Sequence, residues 1–192
     1  SNIKTLGVEP SSVAEIAIKS GYNIIKDFFT TSVAKRILRE FGQPKVITAT
    51  NVFVHVDDMD SFLNSFKILL GDNSVLIIEV SYLIDLIEKN IFDTVYHEHL
   101  CYLSLTPLVK YLKNFNLEVF DVERISFGAS GPAIRIYIQK SKGSEKVSSN
   151  VIEMLKMEKK WGVQHLKTYT NFKSKIDLIK VEILNMIHNL KS

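Results

Sequence analysis

The run Phe92-Asp93-Thr94-Val95-Tyr96-His97-Glu98-His99-Leu100 holds two of the chain's five histidines, a tyrosine and two carboxylates. No other stretch is so dense in groups that can move a proton. Imidazole titrates near neutrality, and a carboxylate beside it can fix its tautomer and raise its basicity. Tyr96, Glu98 and His99 therefore have the makings of a general base with an orienting partner, and His97 is the alternative base. The same residue types also suit a polar surface turn or a satisfied half-buried cluster. Alternate histidines can ligate zinc, but that needs further ligands that the neighbouring sequence does not supply. Only the position of the run in the fold decides between these readings.

The elements around it alternate. The apolar run Ile3 to Val8 reads as a strand that ends at Glu9-Pro10. Ser12 and Glu15 are spaced as a capping box, and Val13, Ile16 and Ala17 predict an inward helix face that stops at Gly21. Tyr22 to Ile25 is a second short strand. Thr30-Thr31 caps a helix with Val33, Ala34, Ile37, Leu38 and Phe41 at helical spacing. Val46 to Thr50 is a third strand, followed by a helix from about Asp58 to Leu70 with Phe62, Phe66 and Leu69 on one side. Val75 to Val80, ending with Glu79, is a fourth strand, and Leu83 to Ile87 begins a short helix. Such alternation implies an α/β fold with a mostly parallel sheet and helices on both faces.

Beyond the histidine run, Thr106-Pro107 predicts a helix start with proline at the first position. Leu117 to Ile125 and Ala133 to Gln139 are two strands with no helix between them, joined by the loop Phe127 to Pro132, so they should form an antiparallel hairpin at one sheet edge. From Ser148 the chain reads as long helix among lysines. Residues 1–140 are thus expected to form one core and 141–192 a helical extension.

Composition limits the function classes. The chain has 192 residues, 46% hydrophobic and 23% charged, with a net charge of +3, which suits a globular domain and gives no basic face for nucleic acid. The longest apolar stretch, Val75 to Ile87, is interrupted by Glu79 and Asp85, so no membrane partner is expected. The single cysteine, Cys101, excludes an internal disulfide framework and fits a cytoplasmic protein.

An open α/β sheet binds its ligand outside the carboxyl ends of its strands. The polar residues there are Glu9, Asp27, Asn51 and Glu79. An acidic side chain such as Glu9 can accept the ribose hydroxyls of an adenosine cofactor, although it equally suits a turn before proline. Asp27 with Phe28 and Phe29 could border an adenine, or be core. Asn51, with His55 and Asp57, follows the strand whose end usually meets the reacting group.

Several runs together carry a resemblance. Asn51 to Asp58, Glu79-Val80-Ser81-Tyr82-Leu83, Phe92 to His99, Ser104 to Leu108 and Leu117 to Glu123 resemble, in order, the sugar C-methyltransferases. These S-adenosylmethionine-dependent enzymes methylate a carbon next to the ketone of a nucleotide-linked deoxysugar. The resemblance implies a Rossmann-like class I methyltransferase sheet. It implies that Glu9 binds the cofactor ribose, that Asp27 and Phe28 border the adenine, and that Asn51 lies near the sulfonium. Tyr96, Glu98 and His99 would serve the sugar, with His99 as base, Tyr96 as donor to the sugar oxygen and Glu98 as orienter. Glu79, Tyr82 and Arg135 would contact the substrate.

The departures shape further expectations. The family has a first strand and a glycine-rich loop before the position of Glu9, which this chain lacks, and its Gly-Gly-Ser-Leu-Arg element appears only as Gly131-Pro132-Ala133-Ile134-Arg135. The family's zinc belongs to an N-terminal module that is missing here. The sequence therefore reads as a central fragment that binds cofactor poorly, is inactive alone, and self-associates through exposed sheet edges. A non-catalytic nucleotide-binding or interaction fragment, and a small-molecule O- or N-methyltransferase, are the competing readings.

Overall fold

The computed structural model describes residues 3–128 and 131–191. Strand β1 (Gly7–Val8) and strand β2 (Ile24–Ile25) pair in parallel, joined by helix α1 (Val13–Lys19). The ladder is short, with Gly7 N–H donating to the Asn23 carbonyl and Glu9 N–H to the Ile25 carbonyl, and residues 3 to 6 are not part of the strand. The capping box expected at Ser12 does not form. Ser11 Oγ accepts the Val13 N–H instead, and Glu15 is drawn to Lys26. Only Ala14 of α1 is buried, while Val13 and Ile16 are exposed.

Helix α2 (Thr31–Phe41) begins at Thr30, whose hydroxyl accepts the Val33 N–H, and buries Val33, Ala34 and Ile37. Phe41, expected inward, is exposed at the last turn. Strand β3 (Val46–Thr50) leads to a 3₁₀ turn at Phe53–His55 and then to helix α3 (Met59–Leu69), capped by the Asp58 carboxylate on the Ser61 N–H. Phe62, Leu63, Phe66 and Leu69 are buried, as the spacing predicts. Phe29 meets the Phe62 ring edge-on, with 5.4 Å between ring centroids. Each such side chain taken from water stabilises the fold by about 1.5–3 kcal/mol.

Strand β4 (Val75–Ser81) pairs in parallel with β3, and helix α4 (Leu83–Glu88) follows it. Beyond helix α5 (Leu105–Lys113) come strands β5 (Leu117–Gly128) and β6 (Gly131–Lys140). Residues 129 and 130 of the expected loop lie outside the described residues. β6 runs antiparallel to both β4 and β5, so the hairpin occupies one edge, as expected.

The described strands fall into two sheets rather than one: the pair β1–β2, and a mixed sheet in the order β3–β4–β6–β5. Among the described residues β3 pairs only with β4, and Val46 is 56% exposed although its residue type suits an interior strand. The two sheets still share a core layer, where Ile25, Val33 and Ile37 pack with Leu6, Val8 and Ile47.

The helical region past Ser148 is two helices, not one. Helix α6 (Ser149–Trp161) ends at Gly162, whose φ of 88° suits glycine, and helix α7 (Leu166–Lys191) follows. α6 packs Val151, Met154, Leu155 and Trp161 on the main core, whereas α7 buries no residue.

α6 also explains a misplaced helix start. α5 begins at Leu105, not at Pro107, because its first N–H groups are capped from outside. The Glu158 carboxylate, fully buried, accepts Leu105 and Thr106 N–H at 2.7 Å each and the Tyr82 hydroxyl at 2.9 Å. An acidic group at a helix N-terminus meets both the free donors and the positive end of the dipole. Among the described residues no helix is long and apolar enough to cross a membrane.

Candidate active site

The candidate site lies where the turn after β3 meets the loop between α4 and α5, beyond the carboxyl ends of β3 and β4. At the root of the turn, Asn51 adopts a φ of 54° and donates its backbone N–H to the Glu79 carbonyl at 2.8 Å. Phe53 and Val54 are buried, which anchors the turn and leaves His55 facing outward. The Leu100 N–H donates to the Val54 carbonyl at 2.9 Å and ties the histidine loop to the same turn. At its far end that loop is fixed by the Leu83 N–H on the Leu103 carbonyl and by the Glu158 cap.

Within the loop, Tyr96 and His99 are brought together. The His99 Nδ1 lies 2.8 Å from the Thr94 carbonyl, and a carbonyl can only accept, so Nδ1 carries the proton. Nε2 is then free to accept, and the Tyr96 hydroxyl donates to it at 3.0 Å. The two rings lie 4.2 Å apart between centroids. Both residues are reachable from solvent, with Tyr96 44% exposed.

His55, which the sequence placed with Asn51 beyond the third strand without a catalytic role, joins this pair. Its Nδ1 donates to the Glu98 carbonyl at 2.8 Å, and its ring lies 4.9 Å from that of His99. The signal was present as a histidine five residues after the end of β3, but only the fold shows that it meets a loop more than forty residues away.

Other expectations change. The Glu98 side chain does not orient His99. It points outward toward His97, with 3.9 Å between Oε1 and Nε2, and the Thr94 carbonyl does the orienting. Tyr82 cannot contact a substrate as it stands. Its ring is fully buried, its hydroxyl is committed to Glu158, and burial beside that carboxylate pushes its pKa above the ordinary phenol range. Arg135 and Glu79 face one another across β6 and β4 at 2.8 Å, so the two substrate candidates neutralise each other.

At the ends of β1 and β2 stand the acceptors suited to a nucleoside. Glu9 is held by Ser11, whose hydroxyl and N–H keep its carboxyl below the usual range; the N–H donates at 2.8 Å. Asp27 accepts the Phe28 N–H at 2.8 Å, and the Phe28 ring is 69% exposed beside it. A carboxylate has about four lone-pair sites, so Glu9 and Asp27 keep acceptor capacity beyond these bonds, which suits the donors of an adenosine cofactor. Among the described residues no group of three His, Cys, Asp or Glu side chains is placed to hold a metal ion.

Comparison with known proteins places the chain by family and fold. A family profile described as a methyltransferase domain matches residues 1–122, and one described as the C-methyltransferase C-terminal domain matches residues 128–192. The chain is 28% identical over 188 residues to the C-methyltransferase NovU of Streptomyces niveus. That match takes in 97% of this chain but only 44% of the relative's length. Two solved structures share the fold. One is an S-adenosylmethionine-dependent methyltransferase of Thermotoga maritima, described as a possible histamine N-methyltransferase. It is 18% identical with a TM-score of 0.51, over 71% of this chain and 72% of its own. The other is an O-methyltransferase from neocarzinostatin biosynthesis, bound to S-adenosylmethionine and a naphthoic acid. It is 11% identical with a TM-score of 0.52, over 72% of this chain and 42% of its own.

Proposed function

From the premise that this chain belongs to the methyltransferase-domain family, we propose that it serves S-adenosylmethionine-dependent C-methylation of a nucleotide-linked keto-deoxysugar. The observation that carries this reading is the Tyr96–His99 pair, in which Thr94 fixes the imidazole tautomer and leaves Nε2 as an acceptor. Carbon is a poor nucleophile until a neighbouring proton is removed, so C-methylation needs a base where methylation of an amine does not. The C-methyltransferase relative and the match of residues 128–192 to a C-methyltransferase C-terminal domain support the choice of carbon.

In this reading Glu9 accepts the ribose hydroxyls of the cofactor, Asp27 and Phe28 border its adenine, and Asn51 lies toward its reactive end. When bound, S-adenosylmethionine supplies an electrophilic methyl group. His99 Nε2 takes the proton from the carbon next to the sugar ketone, and the electron pair of that bond moves onto the carbonyl oxygen as an enolate. The Tyr96 hydroxyl turns from Nε2 to that oxygen and donates to it, stabilising the developing charge. His55, its ring tilted against that of His99, keeps the loop closed on the turn after β3 and restricts the orientation of the imidazole. The carbon would then be able to take the methyl from the cofactor, whose S–methyl bond would break to leave the neutral thioether, and the proton leaves His99 to solvent.

The test offers nucleotide-linked keto-deoxysugars and labelled S-adenosylmethionine to the full-length enzyme that contains this chain and locates the new methyl by carbon NMR. A new carbon–carbon bond next to the ketone is expected. A methyl found on oxygen or nitrogen would replace this reading with the O- or N-methyltransferase one.

A further inference from the structure

α7 runs for 26 residues, yet none of its side chains is buried. From residue 180 to 191 every position is exposed, including Ile183 at 47%, Met186 at 65% and Leu190 at 86%. A helix in water draws most of its stability from packing an apolar stripe, and contiguous apolar surface on this scale marks an interaction site.

The stripe is periodic. Tyr169, Ile176, Ile183 and Leu190 recur every seven residues, and Phe172, Ile179 and Met186 occupy positions three further on. Apolar residues thus fill each a and d position of a heptad repeat along the helix, which is the seam of a coiled coil. The root of the helix is fixed: the Tyr169 hydroxyl donates to the Val163 carbonyl at 2.5 Å, and its ring meets Trp161 edge-on. Along the remainder of the seam Phe172, Ile176 and Ile179 are half-buried, and Ile183, Met186 and Leu190 are exposed.

We infer that this seam is covered by α7 of a second copy of the chain, as an antiparallel two-stranded coiled coil. Antiparallel pairing about Asp177 and Leu178 sets Ile176 against Ile179 of the partner subunit, Phe172 against Ile183 of the partner subunit, and Tyr169 against Met186 of the partner subunit. Every one of these layers is apolar, and larger rings meet smaller or more flexible chains. The flanking charges choose the direction. In the antiparallel pair Lys175 faces Glu182 of the partner subunit twice, by symmetry. On the opposite flank Lys173 approaches Lys180 of the partner subunit, but Lys173 is already neutralised by Asp177 at 2.7 Å. A parallel pair would set Lys175 against Lys180 with nothing to compensate, and isoleucine at both a and d disfavours a parallel dimer.

Sedimentation of the full 192-residue chain tests this, with Ile176→Asp and Ile183→Asp as seam variants. The wild type should associate as concentration rises, and each variant should shift the equilibrium toward monomer by at least tenfold. Charge variants guard against simple unfolding of α7: Glu182→Lys should weaken the dimer, and Lys175→Glu combined with Glu182→Lys should restore it. In a Cys101→Ser background, Lys175→Cys should cross-link to Glu182→Cys in a mixture, while neither links to itself. A monomer at all concentrations, association unchanged by the seam variants, or self-linking of Lys175→Cys would overturn the inference.

Discussion

His99 receives the Tyr96 hydroxyl on Nε2 at 3.0 Å while its Nδ1 donates to the Thr94 carbonyl at 2.8 Å. The backbone rather than a carboxylate therefore sets the tautomer. Nitrogen-resolved NMR of the neutral protein should show His99 protonated at Nδ1. Protonation at Nε2 in the neutral form would break the assignment of Nε2 as the accepting atom.

Tyr96→Phe removes one donor and leaves the imidazole in place. The rate of methyl transfer should fall by the value of a hydrogen bond to a partly charged oxygen, about 1.5–3 kcal/mol, with little change in thermal stability. Parallel losses in stability and rate would instead indicate a structural cluster.

Glu9→Ala should weaken binding of S-adenosylmethionine by at least about tenfold, since charge-assisted bonds to the ribose are lost. Calorimetry checks this.

Glu158→Gln should destabilise the fold by roughly 2 kcal/mol or more, because an amide cannot accept the Tyr82 hydroxyl and both α5 N–H groups without presenting its own donors to them. A urea midpoint unchanged from wild type would contradict the cap.

Asp85 gives a pH-dependent contribution. Burial opposes its charge, but Arg124 at 2.9 Å and Lys89 at 2.8 Å outweigh it and hold the carboxyl below its ordinary range. A lowered folded-state pKa means the stabilisation is present above the unfolded value and is lost as pH falls through the folded one. Asp85→Asn should cost about 1.5–3 kcal/mol at neutral pH and flatten the acid limb of stability against pH. Equal acid limbs in both proteins would contradict it.

Most elements were legible in the sequence, because strand and helix periods alternate cleanly from Val46 onward and Phe62, Phe66 and Leu69 fall where a helix must bury them. The failures have common causes. Ser12 and Glu15 have capping-box spacing, but the Glu15 N–H goes to the Ser12 carbonyl and the Glu15 carboxylate goes to Lys26. The start of α5 moved because its cap comes from Glu158, far along the chain. Parallel strands expected in one sheet separate into two, since pairing depends on neighbours that spacing does not reveal. At the site, Tyr96 and His99 were readable as a local cluster, whereas the burial of Tyr82 and the approach of His55 are products of tertiary packing.

The central claim is that His99 removes the proton next to the sugar ketone. It is tested most directly by exchange of that proton with deuterated water, without methyl transfer, in wild type and His99→Asn. An amide of similar size keeps hydrogen-bonding capacity but cannot take the proton. Exchange should therefore fall by about 10²–10⁴ while substrate binding persists. Equal exchange in the two proteins would contradict the account and pass the role to His97 or to water.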